Sequence, residues 1–170
     1  MPHAVDPIIN SFAAFANLCI DNNEKPFFKY DSSEINKFFY EMKQEYPKEF
    51  EMVGFNTNGH TPFSNEVDDA KTMMLICGYI YSYSPRFNPH VISKKSLKEF
   101  DKIKDQEIYL DVAKRFYDKF GCDKNGEVGK HTKINNLEDL LWDLFIQINI
   151  RYLLLLVWKF QGSFLWMLVI

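Results

Sequence analysis

Sixteen of the 170 residues are phenylalanine, and aromatic side chains together make up 16% of the chain. Each such ring removes on the order of 150–250 Å² from water when buried, so a chain this aromatic is driven to close a packed core rather than stay extended. Hydrophobic residues at 46% and charged residues at 25% are globular proportions. The length suffices for one core and is short for two. One domain is therefore expected over residues 1–151, followed by an apolar segment, 152–170.

The apolar residues fall at helical spacing between recognisable stops. Asp6 and Pro7 form a capping and first-turn pair ahead of Ile8, Ile9, Phe12, Ala13, Phe15, Ala16 and Cys19, which predicts a helix over about residues 7–20. Phe27 to Tyr30 is brief and aromatic, as a short strand would be. Asp31 with Glu34 is a capping-box pair, and Ile35, Phe38, Phe39, Met42 and Tyr46 make the stripe of a second helix that Pro47 ends. Residues 50–55 read as extended, and Asn56 to Gly59 as a turn.

Ser64 caps a third helix, with Glu66, Asp68 and Asp69 near its positive end and Val67, Ala70, Met73, Met74 and Cys77 as its apolar face up to Gly78. Tyr79 to Ser84 and His90 to Ile92 form a hairpin around a Pro-rich loop, with Tyr79, Tyr81 and Tyr83 expected on one strand face. Ser96 and Glu99 start a lysine-rich helical stretch that Ile108, Val112, Phe116 and Phe120 continue to Gly121. Residues 121–133 read as a polar surface loop. From Asn136, Asp139, Asp143, Gln147 and Arg151 line one face of an amphipathic helix whose other face is leucine-rich.

The segment 152–170 is the anomaly. Its eleven Leu, Ile, Val and Phe residues supply roughly −5 kcal/mol toward membrane insertion, and Lys159 takes back about 3, which makes insertion marginal. Three readings stay open: buried strands or a buried helix of the core, a membrane anchor, or an unnatural chain end that would be an aggregation hazard if exposed. A homodimer burying two such segments against each other is a further alternative.

Several chemistries lack support. The net charge of −3 and a pI near 5.8 argue against a dedicated nucleic-acid binder. Cys19, Cys77 and Cys122 form no CxxC or Cys/His spacing and read as reduced cytoplasmic thiols; the N-terminus lacks the pattern of a signal peptide. Asp123, Asn125 and Gly126 mimic part of a calcium loop, but in that register the closing glutamate falls on Thr132. His3, His60, His90 and His131 stand apart, without metal-ligand spacing; a catalytic pairing of His60 with Ser64 or Asp68 has no established mechanism behind its spacing. Phosphate-binding glycine loops and nucleophile elbows are missing. No cofactor and no metal are expected.

The element order, helix, strand, helix, helix, hairpin, is that of a winged helix-turn-helix, so the expected fold is α+β and predominantly helical, a winged-helix-like core with additional C-terminal helices. Fold order alone does not assign function. A DNA-reading third helix should expose Arg, Lys, Asn or Gln, whereas here three carboxylates face outward. The expectation is a non-catalytic protein-interaction or accessory module, cytoplasmic, with the lysine and asparagine bias of a microbial or phage-like coding sequence. Its candidate interaction surface comprises Glu66, Asp69, Tyr81, Tyr83, Arg86, Lys94 and Lys95. The alternatives are a nucleic-acid-binding regulator that works through the hairpin loop and residues 94–104, with the three tyrosines as a base-stacking platform, or a small protein anchored to a membrane through residues 152–170.

Overall fold

The computed structural model describes residues 3–83, 89–93 and 107–134. In chain order these form α1 (Asp6–Asp21), β1 (Phe27–Lys29), α2 (Ser32–Glu45), α3 (Asn65–Ile76), β2 (Ile80–Ser82), β3 (Pro89–Ile92) and α4 (Glu107–Phe120). The result is a mixed fold, about half helical, with one small antiparallel sheet. All these elements belong to the unit Met1–Lys133, which is described by itself. The expected amphipathic helix from Asn136, the stretch 94–106, the loop 84–88 and the segment 152–170 lie outside the described residues.

The helices start and stop for local reasons. Asp31 caps α2 by accepting the Glu34 amide at 3.1 Å, and Ser64 caps α3 by accepting the Val67 amide at 3.4 Å, each satisfying one of the unpaired first-turn N–H groups. Glu34 does not complete a reciprocal box; its carboxylate pairs with Lys119 of α4 at 3.5 Å. Gly78, at φ +69°, closes α3, with the Gly78 amide on the Leu75 carbonyl and the Tyr79 amide on that of Met74. That double bond pattern requires a left-handed residue, for which glycine carries no Cβ penalty.

The core is a cluster of phenylalanine rings. Phe116 of α4 sits 5.1 Å from Phe12 and 5.1 Å from Phe15 of α1, 5.7 Å from Phe28 of β1 and 5.5 Å from Phe38 of α2, all edge-on, the geometry ring quadrupoles favour. α1 packs most extensively against α4. Its Ala13 and Ala16 are fully buried.

The sheet order is β1-β3-β2, and its register divides the strands between two faces. Phe27, Val91 and Tyr81 lie side by side across the three strands and join Cys122 and Tyr83 in a small second cluster. Phe28, Ile80 and Ile92 point the other way into the main core. The alternation of side chains along a strand produces this division.

Five expectations are corrected. Asp6 is inside α1 rather than capping it; the cap position is Val5, and the Asp6 carboxylate accepts the His3 amide at 2.6 Å. The start of 50–55 is not extended: the Phe50 amide reaches the Tyr46 carbonyl and the Val53 amide that of Phe50, which continues helical turns past α2. Met73 and Cys77 leave the buried face of α3, because Val67, Ala70 and Met74, at positions i, i+3 and i+7, set its rotation. Tyr79 precedes β2 and packs on the main core, apart from Tyr81 and Tyr83. Finally, residues 121–133 are not purely a surface loop. Gly121 and Cys122 are buried, and the Cys122 amide donates to the Phe27 carbonyl at 3.1 Å, covering the outer edge of β1.

Replacing Phe116 by alanine removes the ring on which α1, β1, α2 and α4 converge. The expected loss is about 3–5 kcal/mol, read as a lower denaturant midpoint with an unchanged slope in equilibrium unfolding.

Candidate functional site

α3 reaches the surface because its first turn is fixed from below. The Ser64 amide donates to Asn36 Oδ1 of α2 at 2.8 Å, and Asn36 donates in turn to the Ser32 carbonyl at 2.9 Å. Asn56 and Phe63 pair as a short bridge that closes the preceding loop. With Val67, Ala70 and Met74 turned inward, the opposite side of the helix presents Asp69, Thr72 and Ile76, flanked by Met73 and Leu75. Ile76 is 81% exposed, Met73 47% and Leu75 40%. Side chains of this kind are ordinarily interior, and burying Ile76 alone is worth about 1.5–3 kcal/mol.

The residues expected to form the interaction surface separate. Asp69 is exposed on the outer side of α3. Glu66 is half-buried: it accepts the Ser64 hydroxyl at 2.8 Å and lies over Gly54, where an added Cβ would meet its carboxylate at 3.7 Å. Its place is in the support of the helix N-terminus. Tyr81 and Tyr83 are half-buried, and the Tyr83 ring meets Phe27 edge-on at 4.8 Å. Arg86, Lys94 and Lys95 lie outside the described residues. Asp68 accepts the Ser32 hydroxyl at 3.5 Å, and the Lys71 ammonium lies 3.7 Å above the centre of the Tyr30 ring, a cation–π contact.

His60 is exposed, while Ser64 is 1% exposed with its hydroxyl engaged at both the cap and Glu66, which removes it from use as a nucleophile. Asp123 Oδ1 accepts the amides of Asn125 at 2.8 Å and Glu127 at 3.0 Å. Burial works to raise its pKa, but these backbone bonds prevail and hold the carboxyl below its ordinary range. Among the described residues, no group of three His, Cys, Asp or Glu side chains is arranged to hold a metal ion.

A second polar constellation was invisible in the sequence. Glu24, 7% exposed, accepts the Tyr117 hydroxyl at 2.5 Å and the Lys133 ammonium at 2.8 Å, with His131 Nδ1 at 3.6 Å. The His131 ring stacks on Tyr117, centroids 4.2 Å apart and planes 7° from parallel. Gly121 makes this approach feasible, because a Cβ there would lie 2.5 Å from the Tyr117 carbonyl and 3.0 Å from the His131 ring. Burial opposes the Glu24 charge, yet the bonds from Lys133 and Tyr117 and the charges beside it hold its carboxyl below the usual range. The network ties the turn after α1, α4 and residues 131–133 together.

The thiols nearby are inert. Burial, then the charges of Glu24 and Cys122, push the Cys19 thiol well up, and burial followed by Asp123 pushes Cys122 up to about 12. Neither supplies a thiolate at neutral pH.

No protein-family model, curated protein sequence or solved structure matches this chain. The site therefore stands on its own geometry.

Because the Glu24 carboxyl is depressed in the folded state, its contribution is present above the unfolded pKa and is lost as pH falls through the folded one. Glu24→Gln is expected to cost about 1–3 kcal/mol at neutral pH. The gap in melting temperature between variant and parent should close as the pH is lowered from about 5 toward 3, measured by thermal melts across that range.

Proposed function

We propose that this chain is a non-catalytic, cytoplasmic protein-interaction module that docks a partner on the outer side of α3. The observation that carries the reading is Ile76, 81% exposed, with Met73 and Leu75 beside it. Met52, Phe63, Leu110 and Val128 are exposed as well; α3 differs in carrying its three such side chains within one turn of a helix, the clustering expected of a contact surface. Three free cysteines are consistent with a reducing compartment.

A winged-helix-like core is the finer fold reading. Its support is the order α1, β1, α2, α3, β2, β3 together with the strand order β1-β3-β2. In the DNA-binding use of that arrangement the third helix faces the duplex. Here α3 carries Glu66, Asp68 and Asp69 against the single cation Lys71, and phosphates repel such a helix. The same scaffold thus serves protein contact better than base readout. Among the described residues no helix is long and apolar enough to cross a membrane; residues 152–170 lie outside them.

A photo-crosslinking amino acid placed at position 73 or 76 in the cells of origin should yield one defined protein adduct. The same group at Lys114, exposed on α4, should yield none. Equal labelling from all three positions, or adducts to nucleic acid, would contradict the reading.

A further inference from the structure

Polar and apolar residues on the outside of α3 are ordered along its axis. Asp68 and Leu75 are seven residues apart, as are Asp69 and Ile76, so two columns run along the helix. Each has a carboxylate at its N-terminal end and an apolar side chain two turns away, about 10 Å on. Asp69, Leu75 and Ile76 are exposed. Asp68 has a single 3.5 Å contact from Ser32, which leaves most of its acceptor capacity open. Lys71, the one cation of α3, is drawn aside over the Tyr30 ring.

Resting on the reading of α3 as a docking face, we propose that this face binds a cationic amphipathic helix of another protein. The partner covers Met73, Leu75 and Ile76 with apolar side chains and sets Lys or Arg, about two turns along its own axis, against Asp68 and Asp69. A helix suits the site because its i and i+7 positions repeat at the same spacing as the two columns, and ridges of one helix seat in the grooves of another. A second copy of this chain suits it poorly. Antiparallel pairing of two α3 helices brings Asp69 of one copy to the apolar end of the other, where α3 itself carries no cation. Nucleic acid and anionic lipid surfaces present phosphates, which these carboxylates repel.

The test is selection of phage-displayed random peptides on the full chain at low salt, followed by affinity measurements on the enriched sequences. The winners should carry Lys or Arg about two turns from an apolar pair. Ile76→Asp should weaken them about tenfold or more, and Asp68→Lys with Asp69→Lys should do likewise at low salt and favour acidic peptides on reselection. Ile76 lies off the core, so the melting temperature of Ile76→Asp should hold; if it falls, Met73→Glu replaces it. The lysine pair sits at the positive end of α3 and should melt somewhat lower, so its peptide affinities are measured well below its own transition. Winners that need Ile76 but show no excess of basic residues overturn the cationic partner and leave the docking face standing. Winners indifferent to both Ile76→Asp and Met73→Glu overturn both. A concentration-dependent dimer in sedimentation, lost in Ile76→Asp, assigns the face to a second copy and overturns the proposal.

Discussion

The ring of Phe116 is the contact on which the rest of the structure depends. It meets Phe12 and Phe15 from α1, Phe28 from β1 and Phe38 from α2, and Phe120 one turn along its own helix at 4.7 Å. Three consecutive elements are thereby referred to one point on a helix far along the chain. β1 fixes the sheet, α2 holds the Asn36 bond to the cap of α3, and the sheet returns through β2 to the end of α3. Edge-to-face packing specifies orientation as well as burial, so the rotation of α3 and the side it turns to solvent follow from a core to which α3 itself adds only Val67, Ala70 and Met74.

Polar braces refine that core at its rim. Arg115 grips both oxygens of Glu45 at 2.5 and 2.6 Å and reaches Asp111 at 2.9 Å, while the Tyr46 hydroxyl donates to the same Asp111 at 2.6 Å. The end of α2 is thus fastened to α4. These pairs are largely exposed, and water screens their worth. The Glu24 network is the buried counterpart, and it fastens the chain after α4 across the end of α1. Both join elements to one another.

Legibility in the sequence followed the range of the interactions involved. α2 was readable because its cap, stripe and terminating Pro47 all lie within about four residues of what they act on. The hairpin was readable from alternation and turn residues. Short-range logic failed where a distant partner decided the outcome. Nothing near Glu24 announces Tyr117 or Lys133, which meet it only after the chain has gone through α1, the sheet and α4. Met73 and Met74 are adjacent and chemically identical, so only the packing of Val67 and Ala70 decides which is buried. Of the expected surface, Asp69 is outward, Glu66 is drawn into the support of the cap, and Tyr81 and Tyr83 are committed to the second cluster with Phe27, Val91 and Cys122. Leu75 and Ile76, not singled out from the sequence, are what give α3 its outward apolar character. Their i+7 relation to the two aspartates was the signal that could have marked them.

Docking on α3 requires that its outer side be open to solvent in the free protein while its inner side is sealed. Methyl-resolved NMR of the full chain with a soluble paramagnetic probe measures this directly, since Met73, Met74 and Ile76 are close neighbours on one helix. The Ile76 and Met73 methyl signals should broaden strongly on adding the probe, while those of Met74, Ile35 and Ile80 stay sharp. If Ile76 and Met73 were protected to the same degree as Met74, the face would already be covered, and a docking role for α3 would be contradicted.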